Sequence, residues 1–329
     1  MALDPLLRLL LRLVPSVPPG PVDWRQIRET IRKATPMMRG PFGRLAVGPV
    51  EDRTAPGLAG EVPLRIYRPK RAASKSTLLF IHGGGWTTGD LDASDQTARR
   101  LCRELDVVVV ASTYRLAPEH PFPAAYEDAM AAAVWVLDNA ADLGGDPHAV
   151  SIGGDSAGAN LTAAVCIGLR DRDDEALGLS PVGSVRAGMR SQLLLYPCVD
   201  LRPSAWDLPS RIADADPGLR RDPTEQTMAA YLGGADPTNW RLSPLVAPSH
   251  ADLPPALVVV LEVDPLRDEA LLYADKLKGS GVAVDVMLFE HLTHGFMYLA
   301  GLLPAARRAF RSVVRRFGPL LAGQGAGGN

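Results

Sequence analysis

The chain has 329 residues, 47% of them hydrophobic and 22% charged, which fits a globular protein with a large core and excludes a collagenous or intrinsically disordered one. A formal net charge of −2 gives no electrostatic footing for nucleic acid or an anionic membrane as partner. Three cysteines, Cys102, Cys166 and Cys198, cannot all pair and lack the close spacing of a zinc site, so free buried thiols in a reducing compartment are expected.

Leu6 to Val14 is strongly apolar but is interrupted by Arg8 and Arg12, four apart on one helical face. A secretory core is ~7–15 uninterrupted apolar residues and a membrane span about 20, so the pattern predicts an amphipathic helix lying on protein. The expected location is cytoplasmic. Pro15 to Pro21 forms a proline-rich break, and Asp23 to Met38 reads as a second, polar helix begun by an Asp cap. Val62 to Tyr67 alternates as a strand does, and Thr77 to Ile81 is a continuous apolar run. A helix from Asp95 to Leu105, a strand from Val107 to Ser112, a helix from Ala124 to Asn139 and a strand near His148 to Ile152 follow. Gln192 to Tyr196 is a further strand. From about Asp200 to Ser249 the rhythm gives way to prolines and two helical patches. It returns with a strand at Ala256 to Val263, a helix at Arg267 to Lys278, a strand at Val282 to Phe289 and a closing helix from about Ala305.

Continuous apolar strands alternating with helices predict an α/β fold, with a mostly parallel central sheet covered by helices on both faces. The expected division is an N-terminal cap segment over 1–45, a core over 46–199 and 251–318, a cap insertion over 200–250, and a disordered tail over 319–329. The first helix, with leucines opposite its arginines, is expected to lie over the mouth of a site and close off a short pocket.

Gly154-Asp-Ser-Ala-Gly158 stands where a strand pattern turns into a helix pattern without a linker. Such a turn forces its central residue into a strained conformation, and flanking glycines relieve the crowding, so Ser156 reads as the nucleophile of a Gly-x-Ser-x-Gly elbow. A serine hydroxyl needs a base and a group to orient that base. His294 follows the last strand, with His291 in the same loop as its competitor. Asp264 ends the preceding strand and is followed by Pro265. Open α/β sheets build their sites at that carboxyl edge, and the order Ser156, Asp264, His294 is that of the α/β-hydrolase fold. His82-Gly-Gly-Gly-Trp86 follows an apolar strand and lacks the Gly-x-Gly-x-x-Gly pattern of a phosphate loop, so it suits close backbone donors to an oxyanion. Asp155 is expected to make a structural hydrogen bond, and Glu127 and Asp128 to be surface or packing groups.

These motifs, with Tyr114-Arg-Leu-Ala-Pro-Glu-His-Pro-Phe-Pro123, Asp264-Pro-Leu-Arg-Asp-Glu269 and His294-Gly-Phe296, resemble the hormone-sensitive-lipase-like family of α/β-hydrolases, also called bacterial family IV esterases. The resemblance spans most of the chain from His82 to Phe296. It implies Ser156 as nucleophile, His294 as general base and acid, Asp264 as its orienting carboxylate, and the amides of Gly84, Gly85 and Ala157 as oxyanion donors. It implies that His82, with Gly83, supports the glycine loop. The chain departs from the pattern at His291, where relatives more often carry a small residue, so the rim near His294 is expected to differ. The implied function is a serine carboxylesterase acting on short acyl esters through an acyl-enzyme, with no cofactor or metal. An amidase or deacetylase on the same triad is the runner-up, and a receptor-like binding protein is disfavoured by the presence of His294. The expected partner is a small-molecule ester, with no nucleic acid and no membrane span; a homodimer is an allowed state.

Overall fold

A computed structural model describes residues 3–11, 22–39, 43–71, 75–180 and 188–324. Arg12, the break at Pro15 to Pro21 and the last five residues lie outside the described residues.

The chain enters through α1 (Pro5–Leu11) and α2 (Trp24–Met38), the latter capped by Asp23, whose carboxylate accepts the Gln26 amide at 3.0 Å. Next comes a hairpin of β1 (Val50–Gly57) and β2 (Gly60–Tyr67), then β3 (Thr77–Ile81), α3 (Leu91–Leu105), β4 (Val108–Ser112), α4 (Ala124–Asn139), β5 (Val150–Asp155) and α5 (Ala157–Arg170). After a short α6 (Asp173–Ala176) and β6 (Gln192–Leu195), the insertion carries α7 (Pro209–Ala213) and α8 (Arg221–Leu232). β7 (Ala256–Leu261), α9 (Arg267–Gly279), β8 (Val284–Phe289) and α10 (Pro304–Leu321) complete the fold.

The eight strands form one sheet in the order β1-β2-β4-β3-β5-β6-β7-β8. β1, β2 and β4 pair antiparallel, and every pairing from β4 through β3 to β8 is parallel. The expectation of a mostly parallel sheet therefore holds, and β3 to β7 are buried along their whole length and mostly apolar. One apolar cluster fills the face covered by α4, α5 and α9, and a second fills the face under α3 and α10.

Three features differ from the sequence expectation. β1 has no apolar period, since Glu51, Asp52, Arg53 and Thr54 lie on an edge strand whose outer side meets solvent. The closing helix runs through residues 319–321, and Leu320 and Leu321 are buried, so order extends past the expected start of the tail. α1 does not lie over a site: Leu7 is fully buried in the second cluster with Phe296 and Phe310, and the Asp4 amide donates to the His291 carbonyl at 3.0 Å. Leu7 thus turns one side of the helix to the core, while Leu6 and Leu9 stay exposed.

Candidate active site

Parallel strands bring their carboxyl ends to one edge, and here β3, β5, β7 and β8 each deliver a loop to it. At the end of β5 the chain turns into α5 through Ser156, whose φ of 55° and ψ of −119° are a strained combination for a residue with a side chain. The turn closes because Gly158 lies against β3: a Cβ there would meet the Ile81 carbonyl oxygen at 2.1 Å. The strain leaves the Ser156 hydroxyl on the open side.

Asp264 follows β7, buried, with one carboxylate oxygen accepting the Leu266 amide at 2.8 Å. His294, in the loop after β8, bridges the two: its Nδ1 is 2.7 Å from Asp264 Oδ2 and its Nε2 is 2.8 Å from Ser156 Oγ. A carboxylate only accepts, so Nδ1 carries the proton and Nε2 turns its lone pair to the serine hydroxyl. Burial disfavours the charged ring. The Asp264 carboxylate outweighs it, by charge and by hydrogen bond, with Asp216 and Asp155 behind, and the His294 pKa is raised above the ordinary histidine value. This arrangement can pass a proton from the hydroxyl to the ring as the oxygen attacks a carbonyl carbon. His291, the competitor, has its side chain 63% exposed and turned toward Glu290.

The glycine loop is held at both ends of one residue. The Gly83 amide donates to Asp155 at 2.9 Å, and His82 Nδ1 donates to the Gly83 carbonyl at 2.7 Å. His82 Nε2 then accepts from the Thr113 hydroxyl at 3.0 Å, and burial lowers its pKa, so the ring is neutral and holds the loop. Gly84 has φ of 114°, open to glycine alone, and its carbonyl accepts the Thr87 and Thr88 amides. Among the described residues, the amides of Gly84 and Gly85 have no protein acceptor, and that of Ala157 opens α5, where no helical partner exists. All three line one cleft with Ser156 and His294.

That cleft measures about 1320 Å³. Its apolar wall comes from Trp24 and Ile27 of α2, Leu219 and Met228 of the insertion, and Leu266, while Arg220, Arg221, Asp222 and Glu225 stand among its polar lining. α2, rather than α1, is thus the N-terminal contribution. Asp155 behaves as expected, taking the Gly83 amide and the Tyr298 hydroxyl at 3.0 Å, with burial raising its pKa to about 6. Glu127 and Asp128 are packing groups that pair with Arg115. Sequence reasoning missed Asp216, Tyr196 and Tyr298. Asp216 accepts the His294 amide at 2.6 Å, and the Tyr196 ring stands edge-on to the His294 ring with centroids 4.7 Å apart. Only Tyr196 had a signal, as the residue ending a strand at the same sheet edge.

The model of the α/β-hydrolase fold matches residues 78–298, about two thirds of the chain. The chain belongs to the α/β-hydrolase family. Its motifs set it in the hormone-sensitive-lipase-like group, and relatives and solved structures agree. The carboxylic ester hydrolase LipN of Mycobacterium tuberculosis is 44% identical over 253 residues, which is 76% of this chain and 65% of LipN. The carboxylesterase NlhH of the same organism is 36% identical over 93% of this chain and 92% of its own length. The solved hyperthermophilic esterase of Pyrobaculum calidifontis superposes with a TM-score of 0.84 at 34% identity, covering 98% of this α/β-hydrolase and 99% of that chain. No helix among the described residues is long and apolar enough to cross a membrane.

Proposed function

We propose that this carboxylic ester hydrolase acts on small esters of short acyl chains, with Ser156 as nucleophile, His294 as general base and acid, and Asp264 as the carboxylate that orients it. The observation that carries the reading is the continuous bridge from Asp264 through His294 to Ser156, at 2.7 and 2.8 Å. Ser156 Oγ adds to the ester carbonyl carbon while its proton passes to His294 Nε2. The carbonyl oxygen becomes an oxyanion facing the Gly84, Gly85 and Ala157 amides. When the tetrahedral adduct collapses, His294 returns the proton to the departing alcohol, leaving an acyl-enzyme. Water, deprotonated by His294, repeats the sequence and releases the acid. The insertion over 200–250 and α2 of the N-terminal segment act as the cap, a role supported by the cleft residues they supply.

The charged rim supports a small substrate. Docking on a lipid emulsion calls for an apolar surface around the mouth, whereas Arg220, Arg221, Asp222 and Glu225 stand there. Three buried free cysteines support a reducing, cytoplasmic setting. Purified Ser156→Ala, His294→Ala and His291→Ala proteins, assayed on nitrophenyl esters of graded acyl length and on a matched acyl-amide, test the reading. Ser156→Ala and His294→Ala are expected to lose nearly all hydrolysis, with Ser156→Ala also losing fluorophosphonate labelling, while His291→Ala keeps most activity. An active His294→Ala protein beside an inactive His291→Ala one overturns the base assignment. Best turnover on the amide or on long-chain emulsions overturns the substrate class.

A further inference from the structure

A carboxylate of the insertion reaches the His294 loop. Asp216 lies between α7 and α8 and is fully buried. One carboxylate oxygen accepts the backbone N–H of His294 at 2.6 Å. The other accepts the Thr293 hydroxyl and, at 2.7 Å, the Gly218 amide. Among the described residues no cationic side chain is bonded to it; burial and the nearby Asp264 raise its pKa, and the His294 amide and Thr293 hydroxyl bonds act against that to favour the charged carboxylate. Gly218 leaves room for the arrangement, since a Cβ there would come within 2.9 Å of Thr293 Oγ1 and 3.2 Å of Asp216 Oδ1.

A histidine that moves a proton in both directions needs its ring fixed, and a ring is only as fixed as its backbone. Asp264 holds the ring through Nδ1, but the peptide that carries the ring sits in a loop followed by Gly295 at φ of 74°. Asp216 is what ties that peptide down. Its charge also counts. The groups facing His294 are Ser156 from the elbow, Asp155 from β5, Tyr196 after β6, Asp264 after β7, and Asp216 from the insertion; Tyr298, after the histidine loop, donates to Asp155. Three of these are carboxylates, and each favours the imidazolium that forms when Ser156 gives up its proton.

We propose that Asp216 is a positioning residue for catalysis: a carboxylate supplied by the cap insertion fixes the His294 backbone and adds negative charge that stabilises the protonated ring. The inference rests on the reading of His294 as the base. It makes the insertion part of the proton-transfer apparatus and not only the wall of a pocket.

The test is the pH dependence of kcat and kcat/KM for the full-length Asp216→Asn protein, with thermal melts to establish folding. Asparagine keeps the shape and an acceptor for the His294 amide, removes the charge, and turns its NH2 toward the Gly218 amide and the Thr293 hydroxyl, which is why the melts accompany the kinetics. The expected result is a fall in kcat of about tenfold with KM little changed. The acid limb of kcat/KM should move to lower pH by about half a unit or more, because loss of a nearby anion makes the imidazolium harder to form. Gly218→Ala, which crowds the carboxylate without removing it, is expected to lower kcat as well, and serves if Asp216→Asn does not fold. Folded Asp216→Asn with the wild-type acid limb and kcat, or folded Gly218→Ala with unchanged kcat, overturns the proposal. His294→Ala separates the two readings. If that variant stays active, the base assignment falls; if it is dead while the Asp216 and Gly218 variants behave as wild type, only the role of Asp216 falls.

Discussion

At the scale of single residues, the glycine loop and Asp155 give the sharpest consequences. Gly84 sits at φ of 114°, and a Cβ there would come within 2.3 Å of the Thr88 carbonyl oxygen. Gly84→Ala must therefore shift the loop, and the loss of one oxyanion donor is expected to lower kcat by about 10²–10³-fold while the far-UV spectrum stays native. Unchanged turnover in a folded Gly84→Ala protein would argue that the oxyanion sits elsewhere. Asp155 is held up to about 6 from an ordinary 3.8 by burial, against the Gly83 amide and the Tyr298 hydroxyl. The folded protein thus binds this proton more tightly than the unfolded chain does. Its contribution is complete below the unfolded value and is lost as pH rises through about 6. Asp155→Asn does not titrate there, so between pH 5 and pH 8 wild type should lose about 1 kcal/mol of stability relative to the variant. Denaturant melts at the two pH values measure it, and a constant difference would refute it. Ser156, Asp264 and His294 were legible from sequence because each follows a strand, and parallel strands end at one edge whatever the details. Asp216 was not legible. It lies in Asp214-Ala-Asp-Pro-Gly218, which reads as a turn, and it acts through the backbone of a residue 78 positions away.

At the scale of elements, α2 replaces α1 as the N-terminal wall of the cleft. Both helices are amphipathic, so period alone does not say which surface each covers. What decides is the polar anchoring of α2: Arg28 donates to the Thr87 and Ala117 carbonyls at 2.7 Å each and pairs with Glu119. These contacts seat the helix on the segment that leaves the glycine loop and on the segment between β4 and α4, and Trp24 and Ile27 line the cleft. Ile27→Ala removes three carbons from that wall. The acyl-length optimum should move toward longer chains, and the shortest esters should lose a few-fold in kcat/KM, since a lost methylene contact is worth about 0.8 kcal/mol. A profile that does not change on Ile27→Ala or Trp24→Ala would show that acyl length is read elsewhere. The hairpin strand β1 was missed for a related reason. An edge strand with one solvated side keeps few apolar residues, and its alternation disappears into ordinary polar sequence.

At the scale of the whole molecule, the insertion is joined to the core by a buried ion pair. Arg211 of α7 and Glu269 of α9 are both fully buried and meet at 2.6 Å, with the Arg211 guanidinium over the Trp206 ring. Glu269 also accepts the Val199 amide at 2.8 Å, so one carboxylate ties α9, the start of the insertion and α7 together. Its motif was visible in the sequence as Asp264-Pro-Leu-Arg-Asp-Glu269, but nothing local indicated a partner 58 residues earlier. Arg211→Met keeps the bulk and removes the cation, leaving Glu269 buried and uncompensated, which typically costs about 3–5 kcal/mol. The sign of the pH dependence follows. Burial already raises the Glu269 pKa, against the charge and hydrogen bond of Arg211 that lower it, and removing Arg211 raises it further. In the variant the folded state then holds a proton that the unfolded chain releases, and stability is lost as pH rises through that higher value. The stability gap between wild type and Arg211→Met should therefore be smaller at pH 5 than at pH 8. Adding Glu269→Gln to Arg211→Met should recover part of it at pH 8, because a neutral amide keeps an acceptor for Val199 without a buried charge. A gap independent of pH, with no recovery from Glu269→Gln, would mean that the arginine stabilises the insertion through its stacking on Trp206 and not through the carboxylate.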